Sequence, residues 1–138
     1  MRLYHSTRDE SRKVGADEAI LKGLAPDGGL YVPESFPRLD LRALLPLSAH
    51  ELFARVLSAL LDDYPYEEML GIVRAGYAGR FSAEDVTPLT EAGGMHMLEL
   101  FHGPTSAFKD VALSLLPRFV TRAAKKLGVT DEIRVLTA

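Results

Sequence analysis

Leu98-Glu-Leu-Phe-His-Gly-Pro-Thr-Ser-Ala-Phe-Lys-Asp-Val-Ala-Leu113 is where the chain changes from an extended to a helical pattern. Met95 to Phe101 reads as a strand and Gly103-Pro104 as a turn. From Ala107 the pattern is helical, with a lysine in the first turn. That lysine is oddly placed. The positive end of the helix dipole lies at the N-terminus, where acids are favoured and lysines are not. The dipole disfavours the ammonium form of Lys109, and burial would disfavour it further. A neutral amine attacks carbonyls, so Lys109 is the candidate nucleophile for Schiff-base chemistry. The competing reading is a lysine that snorkels to water while Asp110 offsets the dipole.

Working outward, the helix from Ala107 should run to Leu127 and stop at Gly128. Pro117 lies inside it, which predicts a kink or two helical pieces. Ile133 to Thr137 reads as a buried strand. Strand, helix and strand over residues 95–137 imply a right-handed βαβ unit in a parallel sheet. Upstream, Arg2 to Ser6 reads as a strand, and Asp17 opens a short helix capped by Gly23. Asp27-Gly28-Gly29 is a turn leading into extended Leu30 to Val32. Leu39 to Leu45 allows one or two helical turns before Pro46.

Ser48-Ala-His-Glu51 is a capping box. The helix behind it places Leu52, Phe53, Val56, Leu57 and Leu60 on one face. Pro65 suits the start of another helix, reaching about Gly79, with Met69, Ile72, Val73 and Tyr77 on one face. Ser82 with Asp85 suggests a turn, and Pro88 to Gly94 reads as a loop.

With 138 residues the chain is long enough for a real core. A net charge of −3 argues against a nucleic-acid or membrane-surface role. No apolar run is long enough to span a bilayer, and Arg2 to Lys13 is too polar for a secretory signal. There is no cysteine, which excludes thiolate catalysis and cysteine-based zinc sites and fits a cytoplasmic setting. His5, His50, His96 and His102 form no metal-binding spacing, so no metal is expected.

Three ordered blocks resemble threonine synthase, a pyridoxal-phosphate (PLP) family of the tryptophan-synthase-β-like, fold type II enzymes. They are Tyr4-His-Ser-Thr-Arg8, then Glu18-Ala-Ile-Leu-Lys-Gly-Leu-Ala-Pro-Asp-Gly-Gly-Leu-Tyr-Val-Pro-Glu34, then Glu99 to Leu113. Asp9, where the family pattern suggests a small residue, and Pro117 are departures. The resemblance implies an α/β fold: helices plus an incomplete, largely parallel sheet. Residues 1–94 would be a mostly helical N-terminal region and 95–138 the start of the PLP-binding βαβ unit.

The resemblance also implies that Lys109 holds PLP and moves protons. The reaction would convert O-phosphohomoserine and water to threonine and phosphate, a lyase step of threonine biosynthesis. Thr105, Ser106, His102, Ser6, Thr7 and Arg8 are expected to touch substrate or to shape turns. Thr105 or Ser106 is the expected cap of the lysine helix. Phe108 is expected to pack, Asp110 to orient the helix start, and Ser6-Thr7-Arg8 either to bind phosphate or to end a strand. The family's phosphate-binding segments lie beyond Ala138, so the isolated chain is expected to be an inactive N-terminal fragment that self-associates through an unfinished sheet. The alternatives are a threonine-synthase-like phospho-lyase and a non-catalytic folded fragment.

Overall fold

Backbone pairing begins at Tyr4, and the computed structural model describes residues 1–134. Strand β1 (Tyr4–Ser6) lies between β2 (Lys13–Val14) and β3 (Tyr31–Pro33), antiparallel to both. Between β2 and β3 runs α1 (Ala16–Lys22), ended by Gly23 at φ 67°, whose N–H returns to the Ala19 carbonyl. That left-handed backbone suits a residue without Cβ, so the cap read from the sequence is in place.

Helix α2 (Leu41–Leu44) is a single turn, capped by Asp40. Helix α3 (Ala49–Leu60) opens with the predicted capping box, Ser48 and Glu51 each accepting from the other's backbone. Helix α4 (Tyr66–Tyr77) starts directly after Pro65. Helices α3 and α4 pack together, as do α1 and the last helix. Met69, Val73 and Tyr77 are buried as the periodicity predicts, joined by Leu70 and Gly76. On α3 the fully buried residue is Ala54, while Leu52 at the edge of the predicted face is exposed.

Strands β4 (Leu89–Ala92) and β5 (Met95–Leu98) form an antiparallel hairpin. Half of the loop expected over Pro88 to Gly94 is therefore strand. Gly93 and Gly94 have φ of 61° and 76°, the paired positive angles of a two-residue hairpin turn. Glu91 and Ala92 are poor strand formers and β4 is only four residues long, which hid it from the pattern. The strand expected over Met95 to Phe101 stops at Leu98.

Helix α5 (Asp110–Leu113) and helix α6 (Leu116–Leu127) are the two helical pieces that Pro117 predicts, the first starting three residues later than the expected Ala107. The break falls where Pro117 dictates: it sits in the first turn of α6, where its missing N–H is not needed. Gly128 closes α6 in the left-handed conformation. Both described sheets are antiparallel, so the expected parallel βαβ unit does not appear among the described residues. Of its last strand, Ile133 and Arg134 are not in strand conformation, and residues 135–138 lie outside the described residues.

The core gathers Tyr4, Val14, Ala54, Tyr64, Met69, Val73, Tyr77, Val86, Leu115 and Phe119. Met69 and Val73 are wholly buried, each contributing roughly 1.5–3 kcal/mol of transfer free energy. Tyr64 meets Phe119 edge-on at 5.7 Å between centroids, and Phe53 meets Tyr77 likewise at 5.5 Å.

Beside the core lies a charged cluster. The Asp17 carboxylate of α1 accepts from Tyr64 Oη at 2.7 Å and from Arg122 Nη1 at 2.8 and 2.9 Å. Lys126 Nζ lies 2.7 Å from Asp17 and 2.8 Å from Asp63. The Arg122 guanidinium also stacks 3.6 Å over the Tyr64 ring and reaches Glu68 at 3.0 Å. This cluster ties α1 to α6 across the connection between α3 and α4. Burial would raise the Asp17 pKa, but hydrogen bonds from Lys126, Tyr64 and Arg122 outweigh it and hold it at about 2.

Candidate functional site

The segment after β5 is anchored at two points, and Lys109 sits just before the second. The first anchor is Glu99-x-x-His102. His102 Nε2 donates to Glu99 Oε2 at 2.6 Å, and its Nδ1 shares a hydrogen bond with Ser82 Oγ at 2.9 Å. Ser82 N–H donates to the His102 carbonyl at 3.0 Å, and Thr90 Oγ1 donates to Glu99 at 3.1 Å. The hydrogen bond from His102, then that from Thr90, holds the Glu99 carboxyl below its usual range. His102 thus shapes the turn and fastens it to the Ser82 loop and the hairpin.

The second anchor is Asp110, a nearly buried carboxylate. It accepts from Thr105 N–H and from Thr105 Oγ1, both at 2.7 Å. The Thr105 hydroxyl hydrogen bond, then that from its amide, holds the Asp110 carboxyl below its usual range. Neither Thr105 nor Ser106 caps the helix, contrary to expectation. Helix α5 begins one step after Lys109, with no side-chain cap. The Thr105 hydroxyl is instead spent on Asp110, and Ser106 bends the chain with φ 55°, a left-handed conformation uncommon for serine.

Lys109 is exposed, at φ −62° and ψ −21°. Its carbonyl accepts from Ala112 N–H at 3.1 Å and Leu113 N–H at 2.9 Å, so its backbone is held while its side chain is open to solvent. Burial, the second part of the sequence argument for this lysine, is absent here. Phe108, expected to pack, is 71% exposed. Phe108 precedes α5, a single turn from Asp110 to Leu113, and so lies on no helical face that is packed against the core.

Ser6, Thr7 and Arg8 come together with Asp27-Gly28-Gly29 and form no hydrogen bond with the lysine loop among the described residues. Ser6 Oγ donates to Asp27 Oδ1 at 2.8 Å, and Arg8 Nη1 donates to the Asp27 carbonyl at 2.8 Å. Thr7 Oγ1 accepts from Leu30 N–H at 3.1 Å. Hydrogen bonds from Gly29 N–H and then Ser6 hold the Asp27 carboxyl below its usual range. A Cβ on Gly29 would collide with Ser6 Oγ, so the turn needs glycine for room. The three side chains therefore shape a turn. The adjoining cavity of about 100 Å³ is lined by Asp9 and Asp27 as well as Arg12, a mixed-charge surface.

The sequence reading missed three features of these sites: the Glu99–His102–Ser82 chain, the Thr105–Asp110 pair and the Asp17 cluster. The i,i+3 spacing of Glu99 and His102 was a visible signal for the first. Thr105 and Asp110 are five residues apart, but the spacing alone does not say which of the two hydroxyls, Thr105 or Ser106, turns to the carboxylate, and Asp17 and Arg122 stand 105 residues apart. Among the described residues no group of three or more acidic or histidine side chains is placed to hold a metal ion. No helix there is long and apolar enough to cross a membrane.

Comparison with known proteins agrees with this geometry. Residues 3–77 match the family model described as threonine synthase N terminus. The threonine synthase of Corynebacterium glutamicum is 42% identical over 82% of this chain and 26% of its own length. Threonine synthase-like 2 of Rattus norvegicus is 38% identical over 85% of the chain and 25% of its length. The crystal structure of PLP-bound threonine synthase from Brucella melitensis superposes with a TM-score of 0.83 at 39% identity, over 93% of this chain and 28% of that one. The chain thus spans about a quarter of the length of these relatives. A match over more than half the sequence, on a shared fold and at this identity, means that the chain belongs to the threonine synthase family.

Proposed function

We propose that this chain supplies the lysine-bearing segment of a PLP-dependent threonine synthase, with Lys109 as the residue that holds the cofactor. The observation that carries the reading is an exposed primary amine on a backbone fastened on both sides, by Glu99 and His102 before it and by Asp110 after it. Imine formation requires an accessible amine, and reproducible chemistry requires a fixed origin for its flexible side chain. Lys109 has no ion-pair partner among the described residues, so the amine is not committed elsewhere. The donor set therefore fits the carbonyl end of PLP. Ser6, Thr7 and Arg8 hydrogen-bond within the turn around Asp27 and Leu30, Arg8 through one nitrogen and Thr7 as an acceptor.

PLP, when bound, supplies the electron sink that makes carbon–hydrogen bonds beside an amino group acidic. Lys109 then contributes an amine that takes up and returns protons at its Nζ, on a stem long enough to reach neighbouring carbons. In this reading the substrate is O-phosphohomoserine, and water and the phosphate ester yield threonine and phosphate in the cytoplasm. Residues 1–94 form the N-terminal region, and 95–138 begin the cofactor-binding unit. A second reading is a threonine-synthase-like phospho-lyase, which would release phosphate from a related substrate to leave a keto acid; the chain is also similar to a protein named threonine synthase-like 2.

The test is to incubate the chain with PLP, reduce with borohydride and map the labelled peptides. Label concentrated at Lys109 over Lys13, Lys22, Lys125 and Lys126 is expected; even scatter over the five would overturn the assignment. A chimaera joining residues 1–138 to the downstream part of the Brucella enzyme separates the two reactions. Threonine formed from O-phosphohomoserine supports the synthase, and a keto acid supports the phospho-lyase.

A further inference from the structure

Asp110 is 5% exposed, while the lysine before it is open to solvent. Both of its carboxylate oxygens are engaged by one residue, Thr105, through the amide and the hydroxyl. The two hydrogen bonds close residues 105–110 into a ring, with Ser106 bent into the left-handed region inside it. A serine holds that conformation only where its surroundings over-determine it. Gly103 completes the arrangement. A Cβ there would stand 2.5 Å from both Asp110 Cβ and Asp110 Oδ2, so the glycine leaves the room in which the carboxylate seats.

We propose that Asp110 is a positioning residue, whose carboxylate clasps Thr105 and so fixes the backbone from which Lys109 projects toward the cofactor. The proposal rests on the Lys109 reading above. It assigns the effect to geometry and not to the negative charge beside the amine. Asparagine separates the two. Its carbonyl can still accept from Thr105 N–H, and its amide can donate to a rotated Thr105 hydroxyl, so Asp110→Asn keeps the clasp and discards the charge. Asp110→Ala discards both, and Gly103→Ala evicts the carboxylate without touching it.

The experiment labels the full chain with PLP, traps with borohydride and measures the ratio of label at Lys109 to label at Lys125. Lys125 lies on α6, away from the clasp, and serves as the internal standard. Asp110→Ala and Gly103→Ala are expected to lower the ratio roughly fivefold to tenfold, for the loss of both clasp hydrogen bonds, with the circular-dichroism spectrum unchanged. Asp110→Asn should stay within about twofold of the parent. If Asp110→Ala unfolds the chain, the milder Thr105→Val decides, with a drop of roughly twofold to threefold expected.

An unchanged ratio in Asp110→Ala, or in Thr105→Val where that variant decides, overturns the proposal and leaves the Lys109 reading intact. A loss in Asp110→Asn as deep as in Asp110→Ala overturns it in favour of charge. No preference for Lys109 in the parent chain overturns the Lys109 reading, and the proposal with it.

Discussion

Asp17→Asn is the substitution that most directly tests how the helices are held. The side chain is nearly isosteric, but its amide faces Lys126 and Arg122, which can only donate. Arg122 keeps Glu68 and the Asp63 carbonyl, and Lys126 keeps Asp63. The loss should therefore fall at the low end for a broken buried pair, about 3 kcal/mol at pH 6. That is a large share of the ~5–15 kcal/mol that stabilises a domain.

The pH dependence gives a sharper check. The Asp17 pKa falls from the usual 3.8 to about 2 on folding. At 1.36 kcal/mol per pKa unit this is worth ~2.4 kcal/mol. A depressed carboxylate stabilises the fold above its unfolded pKa and loses that contribution as the pH falls through its folded pKa. The contribution is complete at pH 6 and mostly gone by pH 2. Urea unfolding of both proteins should show their difference shrinking by about 2 kcal/mol over that range. Other carboxylates held low, such as Asp27, Glu99 and Asp110, titrate in both proteins and cancel in the difference. A gap of constant size from pH 6 to pH 2 would refute the claim that the ionised Asp17 holds α1 against α6.

Three further outcomes are expected. Ser48→Ala removes the capping box of α3 and should lower unfolding free energy by about 1 kcal/mol in a denaturant titration. Gly76→Ala places a Cβ 2.5 Å from Leu115 Cδ2 and 3.2 Å from the Ser114 carbonyl, and should cost about 1–3 kcal/mol by overpacking despite the gain in helix propensity. Lys109→Ala changes an exposed side chain and should leave stability within about 0.5 kcal/mol while abolishing borohydride-trapped label at that position. A large fall in melting temperature in Lys109→Ala would show that the lysine is part of the scaffold.

Signals carried by a few neighbouring residues are legible in the chain itself. The Ser48–Glu51 box, the glycine caps at 23 and 128, the α4 face and the proline break before α6 all depend on dihedral preference or on spacing within a turn or two. The lysine segment and the Gly-Gly turn are legible for the same reason, as short strings whose order points to the family. Strand β4 is not, because Thr90-Glu91-Ala92 is extended only by virtue of pairing with Met95–Leu98.

The sequence by itself determined most of the helices, the ends marked by Ser48, Gly23 and Gly128, the family and the choice of Lys109 as the residue of interest. Tertiary structure alone decided what the polar residues do. Ser6, Thr7 and Arg8 read in the linear chain as either phosphate ligands or a strand end, and the fold gives them partners at Asp27 and Leu30, 19 to 23 residues on. Lys126 stands in the last turn of α6, where a cation suits the dipole, and the fold brings Asp17 and Asp63 beside it. A hydrogen bond is satisfied by whichever partner the fold delivers, and chain separation does not limit that choice. The partners of charged and hydroxyl groups are therefore set by packing, whereas helix caps are set within one turn of chain.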